Sequence, residues 1–167
     1  MSWTRFQRML LGTDGTVTHI LEAYADEPID VVKLLQEIDT WKEGDARLLL
    51  SKGKVLRRHV RLLARRSRRI LLYAEAVVVL ERADPTLVHG LLETDKPIGV
   101  LLAENRTETF REILEVGREP AGSCGAHFGI DPSAELIFRT YRIVAGQQPV
   151  MLITEKFPAD SFRGLPA

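Results

Sequence analysis

The clearest strand lies near the end of the chain. From Val150 to Phe157, Met151, Ile153, Glu155 and Phe157 fall on one face of an extended segment, with Leu152, Thr154 and Lys156 on the other. The turn signal Gly146-Gln147-Gln148-Pro149 precedes it, which makes this the best-marked strand. Leu56 to Leu63 and Ile70 to Leu80 predict two further strands, joined across Ala64 to Arg68 as an antiparallel hairpin. Arg111 to Val116 and Glu135 to Val144 are also strand candidates. Pro28 to Ile38 fits two periods equally well, because Ile29, Val31, Val32, Leu34 and Leu35 suit an amphipathic helix and a buried strand.

Helix signals are fewer. Asp84-Pro85 is a cap followed by proline at the first helical position, and Leu87, Val88, Leu91 and Leu92 supply the apolar stripe. Lys96-Pro97-Ile98-Gly99 is expected to stop that helix. A short helix is predicted over Thr18 to Ala23, after the turn Thr13-Asp14-Gly15, while Asp39 to Arg47 and Gly122 to Pro132 read as loops. Antiparallel strand pairs with two or three helices in no alternating order predict an α+β sheet protein.

Composition narrows the class. A chain of 167 residues with 45% hydrophobic and 28% charged residues suits one globular domain spanning 1–167. Its single cysteine, Cys124, permits no internal disulfide, and the first residues lack a secretory pattern, so a cytoplasmic protein is expected. The longest apolar run, Ile70 to Leu80, contains Glu75 and falls short of the roughly 20 residues of a membrane helix, so no membrane partner is expected.

Charge is balanced overall, at 23 basic and 23 acidic residues, yet Lys52 to Arg69 holds nine Lys or Arg residues and no acid. Such a block suits a solvated hairpin or a small anion. Low aromatic content and the lack of helix-turn-helix or zinc-ligand spacing argue against nucleic acid as partner. His19, His59, His89 and His127 are scattered without ligand spacing, so neither a metal nor an organic cofactor is expected. Cys124 with His127 is a weak nucleophile candidate, because no orienting carboxylate accompanies them.

Reading strands by face selects three charged residues. Glu155 stands on the apolar face of its strand, and burying a lone carboxylate costs several kcal/mol unless a cation or ligand meets it. Arg58 shares a face with Leu56, Val60 and Leu62, whereas Arg57, His59 and Arg61 point the other way. Arg139 lies between Ile137, Tyr141 and Ile143. A buried Arg–Glu pair within the sheet would satisfy these residues; so would a cavity for a small anionic ligand bearing a hydroxyl.

The ordered blocks Leu56-Arg58-Val60-Leu62, Tyr73-Ala74 before Val77-Val78, Lys96 to Gly99, Arg111 to Arg118, and Pro149 through Ile153-Thr154-Glu155-Lys156-Phe157-Pro158 carry a resemblance. Together they resemble the chorismate lyase family, nearer its divergent branch than the enterobacterial ubiquinone-pathway enzyme. The resemblance implies a single antiparallel sheet of about six strands with helical flaps over an internal ligand cavity. It also implies removal of pyruvate from chorismate to leave 4-hydroxybenzoate, by a monomer or small homo-oligomer.

By resemblance, Arg58 binds the ring carboxylate, with Arg57 or Arg61 as alternatives if the hairpin is shifted by one residue. Ile98 and Val17 supply backbone N–H groups to the same carboxylate, and Glu155 contacts the ring hydroxyl. Arg139 or another hairpin arginine is the candidate for the enolpyruvyl carboxylate. Arg58 and Glu155 are the expected catalytic pair. The chain departs from the enterobacterial pattern at Val100, where that pattern has arginine. The effector-binding domains of GntR-type regulators share the fold and give the alternative reading, a non-catalytic binding module. Those domains follow a winged helix, whereas the resemblance here runs from about Leu10 to Pro158 and leaves only about ten residues before it, which favours the enzyme.

Overall fold

The structure is a computed structural model that describes residues 2–49 and 52–164. Its frame is a six-stranded sheet in the order β1-β2-β3-β6-β5-β4, with every neighbouring pair antiparallel. The strands are β1 (Ile29–Thr40), β2 (Lys54–Ala64), β3 (Ile70–Val79), β4 (Phe110–Pro120), β5 (Glu135–Ala145) and β6 (Gln148–Pro158). The helices are α1 (Arg5–Gly12), α2 (Val17–Ala25), α3 (Pro85–Glu93), α4 (Ile98–Glu104) and the single turn α5 (Gly125–Phe128). Chain order differs from sheet order because α3 and α4 carry the chain from β3 to the far edge. The β4-β5-β6 meander then returns to the middle of the sheet, as expected for an α+β fold.

Alternation on β2, β3 and β6 translates directly into register. Leu56, Arg58, Val60 and Leu62 pair with Val78, Ala76, Ala74 and Leu72, and the first three of these pair with Met151, Ile153 and Glu155 of β6. The Pro28 to Ile38 ambiguity resolves as β1, an edge strand whose half-buried residues and bulge at Lys33/Leu35 blur the period.

Other expectations are corrected. Asp39 and Thr40 complete β1, and Glu43–Leu48 forms a 3-10 helix rather than loop. Residues 5–12 form an unanticipated helix, held by a reciprocal cap in which Thr4 and Gln7 exchange hydrogen bonds at 3.0 and 3.2 Å. Pro97 stops one helix and caps the next, α4. Gly122 to Pro132 contains a short 3-10 turn and α5 rather than loop throughout.

Two apolar clusters share one face of the sheet. α1, α2 and Phe162 pack over Leu62, Leu71, Leu72, Ile137 and Phe157 at one end, while α3 and α4 pack over Leu56, Val78, Ile143 and Met151 at the other. The seam between them falls on the inward row at the centre of β3, where Ala74 and Ala76 stand. Among the described residues, no helix is long and apolar enough to cross a membrane.

Candidate functional site

Small side chains leave space at that seam. Ala74 and Ala76 form the floor of a cavity walled by Val31, Val60, Leu62, Leu72, Ile143 and Ile153, with Arg58, Arg111, Tyr141 and Glu155 as its polar groups. The starts of α2 and α4, at Thr16-Val17-Thr18 and Pro97-Ile98-Gly99, close the remaining side. Neither helix has a side-chain cap, so their first-turn N–H groups lack the partner a cap would give. They approach closely: a Cβ on Gly99 would come within 2.9 Å of Thr16 Cγ2. The small residue at 99 allows two helix starts to share one cavity.

Glu155 sits opposite both Ala74 and Arg139 in the sheet register. Its Oε2 accepts from Arg139 Nε at 2.6 Å and its Oε1 from the Tyr141 hydroxyl at 2.9 Å. Burial, with the Glu155 charge beside it, pushes the Tyr141 hydroxyl far above its ordinary pKa, so tyrosine remains the donor. The carboxylate is therefore charge-balanced and held at both oxygens while lining the cavity.

Arg58 presents the opposite case. It is 2% exposed and donates from Nη2 to the Lys96 carbonyl at 2.9 Å. Its Nε and Nη1 are buried and find no acceptor among the described residues. Burial pulls its pKa down, with Asp95 giving partial relief. A desolvated guanidinium with two free donors in a cavity wall is built to receive an anion.

The other sequence candidates divide clearly. Val17 and Ile98 line the cavity at the two helix starts. Arg139 is not among the lining residues: fully buried, it donates to Glu155 and to the Thr13 carbonyl at 2.7 Å, while its Nη2 finds no acceptor among the described residues. In the register it stands opposite Glu155, whose carboxylate takes its charge. Arg57 and Arg61 lie on the outer face. There Arg57 grips Asp45 at 2.7 and 3.0 Å and Asp39 at 2.9 Å, and Arg61 donates to the His127 carbonyl.

Arg111 was not singled out by alternation, yet it lines the cavity. Its signal lay in the pairing, since it stands opposite the inward residue Ile143, but the bulge at Ile113/Glu115 breaks the period of β4. Cys124 and His127 belong to the segment on the outer face, where the imidazole stacks on Tyr73 with ring centroids 4.1 Å apart. Burial pushes the Cys124 thiol up and the His127 imidazole down, so neither is activated as a thiolate–imidazolium pair would be.

Sequence and structure comparisons agree on this architecture. Residues 10–163 match the family described as Rv2949c-like chorismate pyruvate-lyase. A chorismate pyruvate-lyase of Mycobacterium tuberculosis (strain H37Rv) is 30% identical over 165 residues, covering 95% of this chain and 82% of the relative. One from Mycobacterium leprae (strain TN) is 31% identical over 161 residues, covering 95% and 77%. Among solved structures, the effector domain of PhnF from Mycobacterium smegmatis superposes with a TM-score of 0.68 at 14% identity, covering 87% of this chain and 90% of that one. A GntR-family regulator from Bacillus cereus gives 0.65 at 9% identity, covering 83% and 97%. At those identities the structural likeness speaks for the fold alone, whereas the family match spans the sheet, both helix starts and every polar group of the cavity. The chain belongs to the Rv2949c-like chorismate pyruvate-lyase family.

Proposed function

We propose that this protein eliminates pyruvate from chorismate to give 4-hydroxybenzoate. The observation that carries the reading is the pairing, in one apolar cavity, of the unsatisfied buried cation Arg58 with the anchored carboxylate Glu155. Arg58 with the N–H groups of Val17 and Ile98 takes the ring carboxylate, and Glu155 accepts a hydrogen bond from the C4 hydroxyl. The C3–O bond breaks as the C4 proton leaves; the bonding electrons complete the arene, and the departing enolpyruvate regains a proton to become pyruvate. The acceptor of the C4 proton is either Glu155 or the enolpyruvyl group itself. Aromatisation supplies the driving force, so the residues' task is to hold the ring in reactive geometry and exclude water. Val60, Leu72, Ile143 and Ile153 supply the apolar walls.

The reading is tested by incubating the protein with chorismate and no added metal or cofactor, then measuring pyruvate and identifying the aromatic product. Pyruvate with 4-hydroxybenzoate is expected. Pyruvate with 3-hydroxybenzoate would overturn the regiochemistry. Folded protein that binds chorismate without consuming it would favour an effector-binding module.

A further inference from the structure

Two guanidinium groups line the cavity, those of Arg58 and Arg111. Arg111 stands on β4 opposite Ile143, its guanidinium carbon 5.0 Å from the Tyr141 ring centroid. Nη1 is committed to the turn before α2, donating to the carbonyls of Asp14 and Gly15, the latter at 2.7 Å. Nε is buried and finds no acceptor among the described residues. One corner of the fork thus holds the backbone while the Nε edge remains available. That edge can bind a carboxylate, and the tied corner fixes its orientation beforehand.

The charge of the wall points to the same ligand class. Arg139 neutralises Glu155 at 2.6 Å, which leaves Arg58 and Arg111 as the two uncompensated cations among the described lining residues. Two such cations in one cavity wall complement a dianion; a monoanion would leave either the buried donors of Arg58 or the buried Nε of Arg111 unpaired. Resting on the chorismate reading above, we infer that Arg111 binds the enolpyruvyl carboxylate while Arg58 binds the ring carboxylate. The substrate then engages both cations and the aromatic product only Arg58. The site thereby distinguishes substrate from product by one charge, and cleavage itself weakens the hold on what remains.

The test compares wild type with Arg111→Gln and Arg111→Lys in two measurements, kcat/KM for chorismate and the inhibition constant of 4-hydroxybenzoate. For Arg111→Gln, kcat/KM is expected to fall roughly 100-fold, the scale of a lost charged contact. The inhibition constant should move less than about threefold, because the product does not use Arg111. Arg111→Lys keeps the charge without the fork and should lose about tenfold in kcat/KM, again with product binding retained. It carries the test if the Gln variant fails to fold. Unchanged kcat/KM, or a parallel loss of chorismate turnover and product affinity, would overturn the inference and leave Arg111 as a brace for the Asp14–Gly15 turn. Wild-type protein releasing no pyruvate would instead overturn the functional reading beneath it.

Discussion

Arg139 donates from Nε to Oε2 of Glu155 at 2.6 Å, with neither side chain more than 5% exposed, so the carboxylate facing the cavity is anchored from behind. The partner that stabilises Glu155 is therefore separate from Arg58, the cavity-lining cation with unpaired donors. Stability and turnover should respond differently to each.

Replacing either member of the buried pair leaves the other charge uncompensated. Arg139→Met and Glu155→Gln are each expected to lower unfolding free energy by about 3 kcal/mol, measured by denaturant titration. The double variant removes both charges and should recover a large part of that loss while remaining inactive, because stability depends on the pair and turnover on the carboxylate. Near-normal turnover in Glu155→Gln would sink the catalytic assignment.

Arg58 predicts the reverse pattern. A cation that is 2% exposed with two unpaired donors costs the unliganded protein stability. Arg58→Met should be as stable as wild type or more so, by up to about 2 kcal/mol, while kcat/KM falls by roughly 100-fold or more. A large drop in melting temperature would contradict the picture of a residue held ready for an anion. Arg57→Ala offers the contrast: it should leave catalysis by the folded protein nearly intact but destabilise it by about 2 kcal/mol, since Asp45 is 3% exposed and loses its guanidinium.

These contrasts mark what the sequence could carry. Period-2 alternation on β2, β5 and β6 places Arg58, Arg139 and Glu155 on the inward face, because a one-residue slip would bury every polar neighbour instead. Alternation says nothing about which inward residues meet across strands, so the partner of Glu155 was open until the register set Arg139 opposite it. Arg111 escaped because its strand has half-exposed apolar residues and a bulge two positions on. The helix at 5–12 carried the signal Thr4-x-x-Gln7, which is short and lacks a long apolar stripe behind it. Pro97 reads as a stop from the N-terminal side and as a start from the other, and only packing of Leu101 and Leu102 into the second cluster decides that both hold.

The cavity floor gives a third test. Ala76 is 4% exposed and pairs with Arg58 on one side and Ile153 on the other. Ala76→Leu would fill the space over the sheet with apolar atoms that suit a strand position. Melting temperature is expected to hold or rise, while affinity for 4-hydroxybenzoate falls by about tenfold or more, the scale of losing a shaped pocket rather than one contact. Unaltered product affinity would show that ligand binds elsewhere.

The last test uses acid. On the outer face, hydrogen bonds from Lys42 and Arg57 hold the Asp39 carboxyl well below its ordinary range. For Asp45, burial acts upward but is outweighed by Arg57 and by the backbone N–H of Lys42, so its pKa is also lowered. A carboxylate whose pKa is lower folded than unfolded contributes stability that is fully present above the unfolded value, about 4, and is lost as pH falls through the folded value. Asp45→Asn should therefore be less stable than wild type by about 2 kcal/mol at neutral pH. That gap should stay constant down to about pH 5 and narrow progressively below 4, as wild type takes up the proton that the variant cannot. Denaturant titrations of both proteins at several pH values measure it, and a gap that persists undiminished toward pH 2 would contradict the assignment of Asp45 as the charged partner of Arg57.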